Sequence, residues 1–470
     1  MTSRAPSNDN SPLAPNVSHP PGPKGHWLSG TISKWRDEPL AYMQQVTDRY
    51  GSALRIRYLP GLYGYLFCHP EHNIRVLLDN NRNYTKMPNP SFLTLQPLLG
   101  NGLLTNDGDD WLAQRRLIQP IFHRRRIAHF GEVMRTLSEQ MLARWRRQLV
   151  DGQVKLDIDQ EMTRLTLEIV GLTLFGTELS DLTETIGSVF TQVNEELADW
   201  TTVPFGWLLL RYPIVPDARR TRRRIGRLEQ VVDQIIRRRR SEPVAGTDLL
   251  SMLMEAEDQD SGSRMTDRQL RDEVMTLLLA GHETTANALG WTFYLLAKHP
   301  AATIRLKAEL KQVLNGRLPT VRDLPALPYT AMVLKESMRL YPPAYMIARW
   351  SMNEDLVGGY RVKGGSGVNL SPYLTHRLPE FWPDPERFVP DRFTEEAEAQ
   401  RPRFAYIPFG GGPRQCIGND FAMTEATLIL AMVAQSFELE LIDDRSVEIE
   451  PLITLRPKNG LPMIVRASEN

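Results

Sequence analysis

Phe409-Gly410-Gly411-Gly412-Pro413-Arg414-Gln415-Cys416-Ile417-Gly418 is the stretch on which the reading of this chain turns. A glycine-rich run leads to one cysteine, and that cysteine stands at the head of a helical pattern over 419–433. A thiol there faces free backbone N–H groups and the positive end of the helix dipole, and both favour the thiolate. The glycines permit φ > 0 and let the backbone approach something flat or bulky. Arg414 offers a permanent cation to an anionic neighbour. A phosphate-cradling loop would need Lys-Ser/Thr after the glycines, and none follows. A zinc site would need more thiolates or grouped histidines, and the chain has 2 Cys in all. Two readings remain for Cys416: an inert buried thiol, since free Cys is commonly buried, and a thiolate ligand to haem iron.

The order and spacing of Phe409, Gly412, Arg414, Cys416 and Gly418 resemble the haem-binding loop of the cytochrome P450 superfamily. The resemblance implies a mainly α fold with a minor antiparallel β part. It implies a single catalytic domain over 20–470, and haem b (iron protoporphyrin IX) as cofactor with Cys416 as the metal ligand. Residues 1–19, polar and rich in Pro, Ser and Asn, read as a disordered tail.

Composition bounds the alternatives. Lys+Arg and Asp+Glu both total 56, so no global field attracts nucleic acid. Apolar residues make up 41% of 470, enough for a sizeable core. Cys68, in the apolar run Tyr65-Leu66-Phe67-Cys68, reads as core filler. Two distant cysteines indicate no disulfide framework and suit a reducing compartment. No apolar run reaches the roughly 18 residues a membrane span needs, and no signal-peptide apolar region is present. Membrane-bound members of the superfamily carry an anchor helix before a Pro-rich run like Pro20-Pro21-Gly22-Pro23-Lys24-Gly25. The expectation is a soluble, bacterial, cytoplasmic protein acting as a monomer.

Along the chain, 40–50 reads as a helix, and 53–58 with 63–68 as a hairpin about Pro60-Gly61. A further helix is expected from Pro70 to about residue 79. Residues 80–110 read as irregular; by the resemblance they form a loop over the substrate pocket. From Trp111 to Phe437 the pattern is mostly helical, with short strands expected at 367–370, 439–441 and 461–465. The arginine runs 219–224 and 237–240 read as solvated helix faces.

Three further constellations carry chemistry. Leu277-Leu278-Leu279-Ala280-Gly281-His282-Glu283-Thr284-Thr285 lies inside a helical pattern over 267–297. A mid-helix glycine costs about 1 kcal/mol relative to Ala, and Ala280 with Gly281 makes a nearly bare patch against which a ligand can lie. The run resembles the superfamily's distal helix, which implies that Thr284 hydrogen-bonds oxygen or its water and that Glu283 belongs to the proton relay. Glu336-Ser337-Met338-Arg339 puts acid and base on one helix face. With Arg392, which matches the third position better than Arg387, it resembles the superfamily's Glu-Arg-Arg structural triad. Trp111-x-x-x-Arg115 places an indole N–H and a guanidinium one turn apart. By resemblance these two, with Arg349 and Arg414, hold the haem propionates.

The resemblance also implies electrons from a separate ferredoxin or flavodoxin system, because nothing like an FMN or FAD module follows Cys416. The basic run His123-Arg124-Arg125-Arg126 is the candidate docking patch. Pocket positions carried over are Phe92, Leu93, Leu98, Leu103, Leu277, Ala280, Ala344, Tyr345, Met346, Leu452 and Ile453. These are mostly apolar and favour a hydrophobic substrate, a terpenoid or steroid ahead of a fatty acid. The expected reaction inserts one oxygen atom of O2 into such a molecule. The alternatives are a peroxide-driven haem-thiolate enzyme and a non-catalytic haem or gas-binding protein.

Overall fold

The computed structural model describes residues 17–27, 30–59, 61–178, 180–241, 248–255, 264–443 and 446–468; most of the expected tail lies outside them. At its centre is the helix Asp267–Lys298, 32 residues long and buried on nearly every face from Leu270 to Leu296. A helix apolar all round belongs in a core. Its start is fixed by a capping box: Thr266 Oγ1 accepts the Gln269 N–H at 3.3 Å, and Gln269 Oε1 accepts the Thr266 N–H at 2.9 Å. The helices Ile158–Phe175, Pro216–Ser241, Pro328–Leu340 and Asn419–Ser436 pack around it, and one hydrophobic cluster runs through them all.

The β part is small. A five-stranded sheet has the order Ala53–Leu59, Leu62–Phe67, Ser366–Leu370, Ile347–Ser351, Tyr84–Thr85. Its pairings are antiparallel except between Leu62–Phe67 and Ser366–Leu370, which run parallel. A three-stranded antiparallel sheet joins Gln153–Asp157, Pro462–Ala467 and Phe437–Leu441. The strand Gln153–Asp157 interrupts a stretch that reads as helical from sequence.

Residues 80–110 depart from the sequence reading. They contain the helix Pro90–Leu99, and the helix Gly108–Ile118 begins there. Pro90 looks like a breaker but occupies the first helical turn, where its missing N–H is not needed and its φ is already set. Asn89 caps that end, accepting the Ser91 N–H at 3.0 Å. The arginine runs are exposed in part, but several members are paired. Arg220 and Arg224 both reach Glu196, Arg239 reaches Asp248 at 3.3 Å, and Arg240 reaches Asp267.

Glu336 and Arg339 sit inside the protein at 0% exposure, joined by two hydrogen bonds of 2.7 and 2.9 Å. Arg339 also donates to the carbonyls of His376, Pro385 and Arg387. The Arg392 guanidinium lies 3.4 Å from Glu336, whereas the Arg387 side chain points outward beside Asp384. The cluster ties the helix Pro328–Leu340 to the 376–392 segment that leads toward the cysteine loop.

Candidate active site

Glycine dictates the shape of the cysteine loop. Gly410 and Gly412 have φ of +69° and +68°, a region that side chains disfavour. A Cβ on Gly412 would sit 1.8 Å from the Leu77 carbonyl oxygen. The Cys416 N–H donates to the Phe409 carbonyl at 2.9 Å and closes the loop, and the Gly418 carbonyl accepts the Ala422 N–H at 2.8 Å to start the helix Asn419–Ser436.

Burial pushes the Cys416 thiol above its ordinary pKa, against the Gly418 backbone N–H and the Arg115 charge that favour the thiolate. In the protein alone desolvation therefore outweighs the helix-head effect expected from sequence. Yet the residue is exposed. Both observations hold if the sulfur faces a space that protein surrounds but does not fill.

Ala280 reports such a space from the central helix. Residues 273–279 are buried, and Ala280 is exposed. In a helix without a surface face, such a residue borders an interior space. Gly281 is a different case from its neighbour. A Cβ there would lie 2.9 Å from Val170 Cγ2, so its bareness admits the helix Ile158–Phe175 and not a ligand. Next along, Thr284 Oγ1 donates to the Ala280 carbonyl at 2.8 Å. Glu283 turns the other way: its Oε1 accepts from Asn194 and from Thr454 Oγ1. Burial raises the Glu283 pKa, with Thr454, Arg456 and Asn194 opposing the rise. His282 is buried with its ring at the Leu278 carbonyl, and desolvation lowers its pKa to about 4; it is a core residue.

Four cations converge near the loop. Arg115 Nη1 donates to the Gln415 carbonyl at 2.8 Å. Arg414 lies 4.0 Å over the Trp111 ring, donates to the Asn106 carbonyl at 3.0 Å and pairs with Asp107. Arg349 is buried, and its pKa is lowered to about 10 by desolvation and by Arg414. Lys86, not singled out from sequence, is buried, donates to the Leu104 carbonyl, and is held well below the usual lysine range. Burial is the first cause, and Arg349, Arg414 and Arg115 add to it. Asp107 opposes them all, but its carboxylate also accepts the N–H groups of Lys86 and Met87 at 2.6 and 2.7 Å. The interior thus holds a surplus of positive charge.

The family profile of cytochrome P450 matches residues 20–462. The chain belongs to the cytochrome P450 family. Cyclooctatin synthase of Streptomyces melanosporofaciens is 36% identical over 450 residues, 94% of this chain and 95% of its own. Cyclooctat-9-en-7-ol 5-monooxygenase of the same organism is 36% identical over 440 residues, covering 91% and 93%. Leukotriene-B4 omega-hydroxylase 3 of Mus musculus is 30% identical over 465 residues, covering 94% and 88%. The protein is thus an enzyme of a monooxygenase family whose members carry haem and use O2 with electrons from a redox partner.

The residues fit that cofactor. A haem brings two carboxylates, and the cations Lys86, Arg349 and Arg414 are met by the one carboxylate of Asp107, with Arg115 beside them. A haem is flat and lies against something bare, and Ala280 is exposed inside a buried helix. Its iron takes a soft ligand, and Cys416 is the exposed one of the two free cysteines. Among the described residues no group of three or more His, Cys, Asp or Glu offers another metal site.

Of the expected pocket residues, Phe92, Leu98, Leu103 and Leu277 are buried together in the main core, and Ile453 packs against it. Leu93 and Leu452 are half-buried, and Ala344 is exposed between buried neighbours. Tyr345 and Met346 pack into a separate cluster with Tyr42, Leu54 and Leu374. The Tyr345 hydroxyl donates to the Leu452 carbonyl at 3.0 Å and so ties this segment to the turn that carries Leu452 and Ile453. The loop before the helix Gly108–Ile118 hangs on two acids that the sequence reading passed over. Asp272 accepts the Asn101 N–H at 2.8 Å, and buried Glu273 accepts the Leu103 N–H at 3.0 Å.

Proposed function

We propose that the protein is a haem b monooxygenase that inserts one oxygen atom of O2 into a terpenoid, with Cys416 as the thiolate ligand. The observation that carries the reading is the surplus of cations, two buried and two partly buried, beside an exposed cysteine, on a chain whose central helix bares Ala280. Arg115, Arg349, Arg414 and Lys86 would hold the propionates, with Trp111 stacked beneath Arg414. Bound haem supplies oxygen activation, favoured by electron density from the thiolate.

The chain's own residues would govern water and protons. Phe92, Leu98, Leu103 and Leu277 make an apolar wall that excludes bulk water. Thr284 follows Ala280 by one helical turn, and rotation away from the Ala280 carbonyl frees its O–H to donate on the cofactor side. Glu283, whose pKa burial raises, is the acid–base group next to Thr284 in the chain. Thr284→Ala should leave substrate binding intact and raise peroxide release per NADPH, since a positioned acid–base group contributes about 100-fold or more to the competing proton transfer. Unchanged coupling would remove Thr284 from the proton path.

Electrons would enter on the sulfur side. A cavity of about 210 Å3 reaches Cys416 from the surface between Arg115, Phe122, His123 and Gln415. His123 and Arg125 are exposed beside it and Arg126 is half-buried, which suits an acidic ferredoxin or flavodoxin. Similarity to the two Streptomyces enzymes supports the terpenoid. Two free cysteines suit a cytoplasmic setting, and no helix among the described residues is long and apolar enough to cross a membrane. The test is turnover of a terpenoid panel, including cyclooctat-9-en-7-ol, with NADPH and a surrogate ferredoxin and reductase. A low-to-high-spin Soret change followed by NADPH-dependent product is expected. Turnover with peroxide alone, or no turnover with any panel member, would overturn the reading.

A further inference from the structure

Glu283 is gripped by residues tied to the turn that carries the expected pocket positions Leu452 and Ile453. Asn194, on the helix Ser180–Thr202, donates its amide N–H to Glu283 Oε1. The Asn194 carbonyl oxygen accepts the Ile453 N–H at 3.3 Å. Thr454 donates to the same Glu283 oxygen at 2.5 Å. Thr454 also accepts from Asn287 Nδ2 at 3.0 Å, one turn farther along the central helix. The turn is tight, with the Leu452 N–H on the Thr454 carbonyl at 3.1 Å. Asn194, Asn287 and Thr454 are all buried. Among the described residues no cation pairs directly with Glu283. Arg456, the cation that faces it, is engaged by Glu195 at 2.5 Å and by Glu450 at 2.7 Å. Asp159, at the start of the helix Ile158–Phe175, faces the same region. The carboxyl is therefore held by two neutral donors on one oxygen, both tied to the turn that carries Leu452 and Ile453.

We propose that this turn couples substrate contact to proton supply: Asn194 and Thr454 are positioning residues for the Glu283 carboxyl, and a substrate pressing on Leu452 and Ile453 shifts the donors that hold it. The physics is local. Hydrogen bonds to a carboxylate favour the anion, and burial favours the acid. With both donors in place Glu283 parts with its proton more readily; with them displaced it retains it. Because Asn194 bridges Glu283 and the Ile453 backbone, movement at one end reaches the other. This inference rests on the proton-relay reading of Glu283 given above.

Thr454→Val removes one donor at nearly constant volume, and Thr454→Ser keeps it. The first measurement is the infrared carboxylic C=O band of Glu283 in the haem-loaded protein, assigned by its loss in Glu283→Gln. Thr454→Val should move the band and raise its titration midpoint, and Thr454→Ser should return both to the original values. With cyclooctat-9-en-7-ol, or whichever panel terpenoid produces a spin change, the band should shift on binding in the original protein and stay fixed in Thr454→Val. Product per NADPH should fall about two- to ten-fold in Thr454→Val, as for loss of one ordinary hydrogen bond, with KM unchanged. A variant that melts lower but keeps the band, its midpoint and the coupling would show a purely structural tie and overturn the proposal. A protein that uses no NADPH defeats the oxygenase reading instead, and the band position in Thr454→Val then decides the grip on Glu283 separately.

Discussion

Glu336–Arg339 and Lys86–Arg115–Arg349–Arg414 are both buried ionic clusters, and they are satisfied in opposite ways. Arg339 uses all the donors a guanidinium has: two bonds to Glu336 and three to the carbonyls of His376, Pro385 and Arg387. Glu336 in turn accepts the Val389 N–H at 2.8 Å and faces Arg392. That cluster is complete within the chain. In the other, Lys86, Arg349 and Arg414 share Asp107, and Arg115 stands beside them. The first arrangement holds the fold; the second is unfavourable until an anion arrives, which is the property expected of a cofactor site.

The largest effect that can separate the two belongs to Cys416. Cys416→Ser should abolish the absorption near about 450 nm that carbon monoxide gives with a thiolate-ligated ferrous haem. Haem should still bind, because the cations remain. Retention of the band would exclude Cys416 as the ligand. Loss of all haem binding would mean that the sulfur, and not the positive surplus, dominates affinity.

Breaking the complete cluster comes next. Arg339→Ala leaves Glu336 charged at 0% exposure with its main partner gone, and removal of one partner from a buried pair typically costs about 3–5 kcal/mol. Urea unfolding of the haem-free protein measures it, and the loss should be the same with haem present. A loss under about 1 kcal/mol would place this pair among the weak surface type.

A third buried charge shows a way out that arginine lacks. Glu273 is buried, with Oε1 unpartnered, and burial raises its pKa from the ordinary 4.5 to about 8. It becomes neutral by taking a proton, whereas a guanidinium keeps its charge. Since the folded pKa is the higher one, its favourable contribution is full below about 4.5 and is lost as pH rises through about 8. The haem-free protein should lose stability across that window, by a few kcal/mol at most. Glu273→Gln, which keeps an acceptor for the Leu103 N–H, should flatten that part of the curve. An unchanged slope would assign the dependence to other groups such as Asp159, whose pKa burial raises to about 7.

Sequence legibility follows the same division. The cysteine loop, the Ala280–Thr284 run and Glu336/Arg339 are each contiguous, so spacing alone exposes them. The central helix and the hairpin of Ala53–Leu59 with Leu62–Phe67 are legible because period and turn chemistry agree. Lys86 was not legible, because its meaning is a sum over residues 86, 107, 115, 349 and 414, which only the fold brings together. Asn194 and Thr454 carry no local signal for the same reason. The helix Pro90–Leu99 was hidden by its own prolines, and the packing of Tyr345 and Met346 beside Tyr42, Leu54 and Leu374 joins residues far apart in sequence.

The finest test of the contrast is Lys86→Met, which removes one surplus charge and keeps an apolar stem of similar length. Haem affinity should fall by about ten-fold, equivalent to roughly 1.4 kcal/mol, measured by Soret titration of the haem-free protein. Stability of the haem-free protein should hold or rise, because the charge that is lost is one that burial and the neighbouring arginines already oppose. The sign is the decisive quantity. If Lys86→Met lowered haem-free stability as Arg339→Ala is expected to, Lys86 would be part of the fold's own bonding, through the Leu104 carbonyl it donates to, and the cation surplus would no longer mark a site that awaits an anion.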